Sequence, residues 1–348
     1  MDELTPEEYA KYHTLVNRDM IDIEKDINQS LYSDGETGAA HRQNVVQDIL
    51  RKWDRISFRG KFHYILATSS IREAVEYYRL LKDNDLGLFV TAVFDPHTDN
   101  TSDDIFKDEA VKEILEDYNK HFNMKCTVGA YRRFKDDVCA RLSHKDPYKD
   151  LDKHREEAVN IVIVVNQLLT GFDSAWINTL YLEKVIEYEQ FIQAASRTNR
   201  LNGFEKQFGI IKYCRKPHVM EKNAEDALRL YAEAGYQDVF VHSLGQNIIA
   251  MNNDYQRIIN LFEANGIENF SRLPESDVDI NLFADLFNNI SNYYYRSIPQ
   301  LFTWTIKTYV TEDAGEVTVE LDETTYEILH QRYSEIPRTV QPGGDIIY

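Results

Sequence analysis

Residues 159–165 read VNIVIVV, an apolar, β-branched run of strand length, which is typical of a strand covered on both faces. Residues 166–173 follow as NQLLTGFD, a polar turn that contains a glycine. A second apolar run, INTLYL, occupies residues 177–182, and a helical pattern continues to residue 200. Strand, loop, strand and helix in this order predict an α/β domain whose site lies at the carboxyl ends of its strands.

The predicted helix carries Gln193, Arg197 and Arg200 at positions i, i+4 and i+7, which places the three side chains on one helical face. The positions one turn before the two arginines are Gln193 and Ser196. Neither arginine therefore has an acidic partner one turn earlier. Two arginines on a helix are often an ordinary solvated face. Guanidinium groups that are free and point the same way also suit the phosphate of a nucleotide.

The same residues carry a family resemblance. Gln193-x-x-Ser196-Arg197-x-x-Arg200 resembles motif VI of superfamily 2 helicases and translocases, and residues 170–173, TGFD, resemble their motif V. The longer string from residue 168 to residue 199 resembles the motor region of the restriction (R) subunit of type I restriction-modification enzymes. The resemblance is strong over residues 41–235. One departure is Ser196, where the wider superfamily usually has glycine.

The resemblance implies a fold class and a division of the chain. It implies an α/β, RecA-like parallel-sheet motor lobe followed by a mainly helical domain. The expected parts are a helical connector over residues 1–59, the second RecA-like lobe over 60–216, and a mainly helical carboxyl-terminal domain over 217–348.

It also implies roles for single residues. Arg197 and Arg200 would be the catalytic arginine fingers that stabilise charge on a transferring phosphoryl group. The residues expected to contact ATP are Gly171, Asp173 and Gln193, and those expected to contact the DNA backbone are Ser69, Ser70 and Thr170. No metal ligands are expected.

Two of these sites have plainer interpretations. Ser69 and Ser70 end a predicted strand over residues 62–67 and precede a helix that starts at Ile71. Hydroxyl groups in that position can hold a phosphate together with helix N–H groups, or one of them can simply cap the helix. Residues 170–173 can likewise be only a tight turn with Gly171 at its bend.

Charge is unevenly distributed along the 348 residues. The net charge is −19, which at first argues against a nucleic-acid partner. Residues 120–155 nevertheless carry ten basic and five acidic residues, whereas residues 221–348 carry eight basic and twenty-one acidic residues, a local charge of −13. The lobe can therefore bind phosphate groups while the acidic tail binds a protein.

Composition limits the class of protein. No apolar run reaches the roughly 18 residues of a membrane span, and the start of the chain has no signal-peptide layout. Three scattered cysteines form neither a metal spacing nor a disulfide framework, which fits a reducing compartment. We expect a cytoplasmic protein without a membrane partner.

A long charged segment, residues 95–154, looks like an insertion between core strands. In it Lys125, Arg132, Arg133, Lys135 and Arg141 alternate with Tyr131 and Phe134. Basic and aromatic residues together can follow a nucleic-acid backbone. An amphipathic, solvated helix is the other interpretation, and the sequence leaves both open.

Missing motifs shape the expected mechanism. The sequence has no Gly-x-x-x-x-Gly-Lys-Ser/Thr loop, no strand-borne Asp-Glu pair for magnesium and no nuclease cluster. The resemblance therefore implies half of an ATP site, with ATP and Mg²⁺ bound mainly by a first lobe outside this chain. The chain alone should bind no cofactor and turn over no ATP.

The expected function is part of the ATP-dependent, DNA-translocating endonuclease subunit of a type I restriction enzyme. Its implied partners are double-stranded DNA and the methyltransferase core of modification and specificity subunits, on which the helical domain would dock. The alternative is a non-catalytic, motor-like binding module that holds a protein partner through its acidic tail.

Overall fold

The computed structural model describes residues 19–95, 104–165, 167–169, 171–202, 206, 208–231, 243–311 and 313–336. The chain forms two compact units. Among the described residues, the first unit comprises 19–202 and 208–231, and the second comprises 206 and 243–336. None of the helices in these ranges is both long enough and apolar enough to cross a lipid bilayer.

The first unit opens with three connector helices, which are α1 (Met20–Asp26), α2 (Ser30–Ser33) and α3 (Gly35–Ile56). Helix α3 turns one apolar stripe inward, and Ile49, Trp53 and Ile56 are almost fully buried in it. The Trp53 ring lies 4.6 Å from the ring of Tyr64 in the sheet. Residues 19–59 of the expected connector are thus mainly helical, and residues 1–18 lie outside the described residues.

Five parallel strands form the sheet of the first unit. Their order in the sheet is β2-β3-β1-β4-β5, and every neighbouring pair is parallel. The predicted α/β fold class is thus confirmed. The strands are β1 (His63–Thr68), β2 (Val90–Val93), β3 (Ile161–Val164), β4 (Ile177–Glu183) and β5 (Ile210–Tyr213).

Helices follow the strands along the chain. They are α4 (Ile71–Leu81), α5 (Asp104–Phe122), α6 (Tyr131–Leu142), α7 (Tyr188–Ala195) and α8 (Pro217–Tyr231). Strands β1, β3 and β4 are buried along their full length, and burial on both faces explains the continuous apolar run of β3.

The strand order creates a switch point between β1 and β4. From β1 the chain runs through α4 to β2 on one side of the sheet, and from β4 it runs through α7 to β5 on the other side. Neighbouring connections that leave in opposite directions open a crevice at the carboxyl ends of their strands. That crevice is where this fold places a ligand.

The second unit is mainly helical, as expected. A cluster of buried aromatic and aliphatic side chains, including Phe262, Phe283 and Phe287, forms its core. The unit also contains an antiparallel hairpin of two strands. Its elements are α9 (Leu244–Ala264), α10 (Asp277–Ser297), β6 (Thr308–Thr311), β7 (Gly315–Thr318) and α11 (Glu323–Ser334).

Candidate functional site

Three loops at the carboxyl edge of the sheet carry the predicted site residues. Ser69 and Ser70 follow β1, Gly171 and Asp173 lie between β3 and β4, and the segment with Gln193, Arg197 and Arg200 follows β4. Because β1 is the neighbour of both β3 and β4, these loops begin side by side. Thr170 lies outside the described residues.

The turn after β3 is anchored on both sides of Asp173. Gly171 has a φ of +71°, a left-handed conformation that suits glycine, and Phe172 is buried. Ser174 donates to the carbonyl of Leu142 at 2.7 Å and accepts from the N–H of Trp176 at 3.0 Å. The exposed Asp173 carboxylate is therefore held between two fixed residues.

Asp173 forms a two-point ion pair with Arg200. Nε of Arg200 lies 3.0 Å from Oδ1, and Nη2 lies 2.9 Å from Oδ2. As expected, the partner of Arg200 does not lie one helical turn earlier. It lies 27 residues earlier in the chain, so this guanidinium is not free.

The helix before Arg200 is also shorter than predicted, since α7 ends at Ala195. The N–H groups of Arg197 and Thr198 bond to carbonyls three residues earlier, at 3.1 Å each, so the chain tightens into a turn. The predicted common helical face for Gln193, Arg197 and Arg200 is therefore wrong.

Close packing explains the end of this helix. Thr198 is buried, and a Cβ on Gly209 would lie only 2.7 Å from the carbonyl carbon of Thr198. The segment before β5 therefore passes directly against the turn. Only glycine leaves room for that approach.

Arg197 folds back onto the end of α7. Its Nε donates to the carbonyl of Gln193 at 3.0 Å, and its Nη2 donates to Ser196 Oγ at 2.6 Å. The Gln193 amide itself donates to Glu189 at 2.7 Å. Ser196, the residue that departs from the superfamily pattern, thus orients the first arginine.

The loop after β1 is fixed by hydrogen bonds within the protein. Ser70 Oγ accepts from the N–H of Glu73 at 3.2 Å, so Ser70 is the N-cap of α4. Ser69 donates its N–H to Glu73 Oε2 at 3.1 Å and its hydroxyl to the Glu183 carbonyl at 3.1 Å. The capping interpretation is confirmed for Ser70. A phosphate contact by either serine stays a prediction.

A buried ion cluster lies next to this loop, and no local pattern in the sequence predicts it. Arg215, just after β5, contacts the carboxylates of Glu73 and Glu183, and all three side chains are almost fully buried. Burial favours a higher pKa for Glu183. The hydrogen bond from His41 and the charge of Arg215 outweigh that effect, so the pKa of Glu183 lies below its ordinary value.

Lys184 was also missed. Its ammonium donates to the carbonyl of Val165 at 2.6 Å, so it reaches from the end of β4 to the end of β3. Burial lowers the pKa of Lys184 to about 8. A strand-end lysine has no local pattern that distinguishes it from a solvated one.

The basic segment of the insertion is an amphipathic helix, α6. Phe134, Val138 and Arg141 lie on its buried face. Arg141 donates from Nε to Asp137 at 3.0 Å and from Nη2 to Tyr148 Oη at 2.8 Å. It is a structural residue, so the idea that Arg141 follows a nucleic-acid backbone is wrong.

Part of this chain matches a known protein family. Residues 60–216 match the family described as "Type I restriction enzyme subunit R domain 3". Over residues 60–216, this chain is therefore similar to a domain of type I restriction enzyme R subunits. The predicted family resemblance is confirmed.

Similar proteins include three endonuclease subunits of type I restriction enzymes. The SauMRSORF196P subunit of Staphylococcus aureus (strain MRSA252) is 30% identical over 205 residues, 57% of this chain and 21% of that protein. The SsaAORF53P subunit of Staphylococcus saprophyticus is 29% identical over 198 residues, 54% of this chain and 20% of that protein. The putative MjaVIIIP subunit of Methanocaldococcus jannaschii is 29% identical over 161 residues, 41% of this chain and 15% of that protein. The chain thus matches about a fifth or less of the length of these R subunits.

Proposed function

We propose that this chain is the second motor lobe and helical docking region of an R subunit that moves duplex DNA by hydrolysing ATP. The observation that carries the proposal is the placement of Arg200. Its guanidinium is held by Asp173 at the carboxyl edge of the sheet, in a part of the chain that is similar to a domain of R subunits.

The Arg200–Asp173 pair suits a group that changes partner. Its side chains are 63% and 56% exposed, and an exposed ion pair contributes only about 0–1 kcal/mol to stability. A triphosphate carries several negative charges and accepts the same two-point contact. Arg200 can therefore leave Asp173 for a phosphate at little cost.

ATP and Mg²⁺ would be held mainly by a first lobe that supplies the phosphate loop and the magnesium ligands. Among the described residues of this chain, no three His, Cys, Asp or Glu side chains come together to hold a metal ion. When bound, Mg²⁺-ATP would supply the phosphoryl group, and its binding would favour closure of the two lobes. The contribution of this chain is charge: Arg200 and Arg197 would stabilise the transferring phosphoryl group, beside Gly171, Asp173 and Gln193.

Double-stranded DNA is the proposed track. Ser69, Ser70 and Thr170 follow strands β1 and β3, which are neighbours, and would face one strand of its backbone. Ser70 accepts the N–H of Glu73 as a cap, and its hydroxyl hydrogen is a suitable donor for a phosphate oxygen. Motion of the lobe would then carry the bound phosphates along.

The second unit is proposed to dock on the methyltransferase core. On α10, Val278 is 75% exposed and Leu282 is 39% exposed, and the two are one helical turn apart. Exposed acidic residues, Asp277 and Asp285, lie on the same helix. An apolar pair with an acidic surround suits a basic protein surface and repels DNA.

Assays of the purified chain, alone and together with the first motor lobe, test whether this chain supplies only half of the ATP site. The purified chain should show no DNA-stimulated ATP hydrolysis, because a lobe without a phosphate loop holds only half of the site. Adding the first motor lobe of the same subunit should restore hydrolysis, and Arg200→Ala should remove it again. Turnover by the chain alone would contradict the proposal.

A further inference from the structure

Arg215 joins the ends of three neighbouring strands. Nε lies 2.8 Å from Glu183 Oε1 at the end of β4, and Nη2 lies 2.9 Å from Glu73 Oε1 at the start of α4. Nη1 donates to Ser69 Oγ, just after β1, at 3.4 Å. Since Arg215 itself follows β5, one guanidinium spans the carboxyl ends of β1, β4 and β5.

The same two carboxylates also hold the connector helices. Nε2 of His41 in α3 lies 2.8 Å from Glu183 Oε1, and the hydroxyl of Ser33 at the end of α2 donates to Glu73 Oε1 at 2.9 Å. The connector is therefore attached to the strand ends through the partners of Arg215.

Stability alone is a weak explanation for this cluster. The side chains of Arg215, Glu73 and Glu183 are 2%, 7% and 0% exposed. Removing charges from water is expensive, and well-packed apolar residues often replace a buried ion cluster without loss of stability. What a charged, forked cluster adds is a fixed geometry among the elements that it joins.

We propose that Arg215 is the positioning residue of a rigid link between the connector and the switch-point crevice. The link makes α3, the loop after β1 and the end of β4 move as one body. Closure of the nucleotide site would then move the DNA-facing loop and the connector together. This inference rests on the proposed motor function, although the link itself is a property of this chain.

Two variants separate position from stability. Arg215→Lys keeps the charge but loses the fork, because one ammonium cannot reproduce the three contacts. The triple variant Glu73→Gln, Glu183→Gln, Arg215→Met removes the ions while its amides still bond to Ser33, Ser69 and His41. The control is Arg141→Lys, since Arg141 is equally buried and is ion-paired to Asp137 outside this cluster.

Hydrogen exchange of the 348-residue chain measures the link without ATP. In Arg215→Lys and in the triple variant, we expect the amides of α3 and of residues 68–70 to exchange faster together, by about tenfold. Arg141→Lys should leave those amides unchanged. If the amides of α3 exchange at the same rate in both cluster variants as in the unsubstituted chain, the inference is wrong, whether or not the R subunit moves DNA.

In a complete R subunit, meaning a chain that also carries the first lobe, the same variants should uncouple the motor. We expect ATP hydrolysis to persist while base pairs moved per ATP fall about threefold or more. A ratio that is unchanged, or lowered equally by Arg141→Lys, would refute the link. If the unsubstituted subunit shows no DNA-stimulated ATP hydrolysis, the proposed function is refuted instead. The hydrogen-exchange rates of α3 and residues 68–70 would then still show whether Arg215 forms the link.

Discussion

Asp173 holds the guanidinium of Arg200 by two contacts of 3.0 and 2.9 Å. The two residues come from the two motifs that resemble a motor lobe, one between β3 and β4 and the other after α7. The aspartate thus orients the arginine before any phosphate is present, and a phosphate must compete with it. Orientation and competition have opposite effects on turnover, so substitution of Asp173 is informative.

Asp173→Asn removes the charge and keeps the size of the side chain. We expect ATP turnover in the complete R subunit to fall about 10- to 100-fold, because Arg200 loses its orientation. The free energy of unfolding should change by less than about 1 kcal/mol, because the pair is exposed. Asp136→Asn breaks another exposed pair, with Arg132, and should leave turnover unchanged. Faster turnover in Asp173→Asn would show that the pair restrains Arg200 rather than orients it.

Ser70 tests whether the loop after β1 meets DNA. Ser70→Ala should destabilise the chain by about 1 kcal/mol through loss of the N-cap. Ser70→Asp keeps a capping carboxylate and restores most of that stability, but its charge repels phosphate. We expect the affinity for a short DNA duplex at low salt to fall about tenfold in Ser70→Asp. Equal duplex affinity in Ser70→Asp and the unsubstituted chain would leave Ser70 as a cap alone.

Gly209 tests the packing that ends α7. In Gly209→Ala the new Cβ meets the Thr198 backbone, so the turn that presents both arginines must shift. We expect a loss of about 1–3 kcal/mol in unfolding free energy and a lower ATP turnover. Gly129→Ala is the control, because no atom lies within 4 Å of its Cβ position. Equal free energies of urea unfolding for Gly209→Ala and Gly129→Ala would contradict the packing argument.

A histidine pair predicts acid sensitivity. The Nε2 atoms of His63 and His144 are 2.9 Å apart, and Trp176 stacks on His144 at 3.8 Å. Burial lowers the pKa of His63 to about 3, helped by the charge of His144, and lowers the pKa of His144 to about 4 against the opposing charge of Asp152. An unfolded histidine has a pKa of about 6.5. Both histidines are therefore neutral in the fold at pH 7, and the unfolded chain takes up protons first as the pH falls.

The stability from this pair is fully present above about pH 6.5 and declines as the pH falls toward 4. We expect each histidine to contribute about 1–2 kcal/mol to the loss between pH 7 and pH 5. His144→Gln should flatten that pH dependence in urea unfolding, whereas His154→Gln, at an exposed position, should not. If the free energy of unfolding depends equally on pH in the unsubstituted chain, His144→Gln and His154→Gln, the histidine pair is not the source of the acid sensitivity.

Local patterns predicted the strands and the turn but not the contacts between them. The apolar run at residues 159–165 contains β3, and the glycine at 171 does bend the chain, because both features depend on neighbouring residues. The Arg200–Asp173 pair depends on the strand order, which brings two distant loops together. Periodicity also extended α7 too far, because its end is set by contact with Gly209 rather than by a local stop signal.

Arg215 illustrates the same limit more strongly. In the sequence it is one basic residue before a lysine and a proline, a pattern typical of a solvated loop. Only the sheet brings it to Glu73 and Glu183, which are 142 and 32 residues away. Buried ion clusters are formed by tertiary packing, and no spacing rule finds them.

The most direct measurement is DNA-stimulated ATP hydrolysis by the complete R subunit carrying Arg200→Ala, beside Arg51→Ala, an exposed arginine of helix α3 that is paired with Asp48. The proposed role predicts that Arg200→Ala lowers turnover on the order of 10³-fold, that its duplex binding at low salt survives, and that Arg51→Ala behaves like the unsubstituted subunit. Arg200→Ala turnover equal to that of the unsubstituted subunit would contradict the assignment of this lobe to the motor.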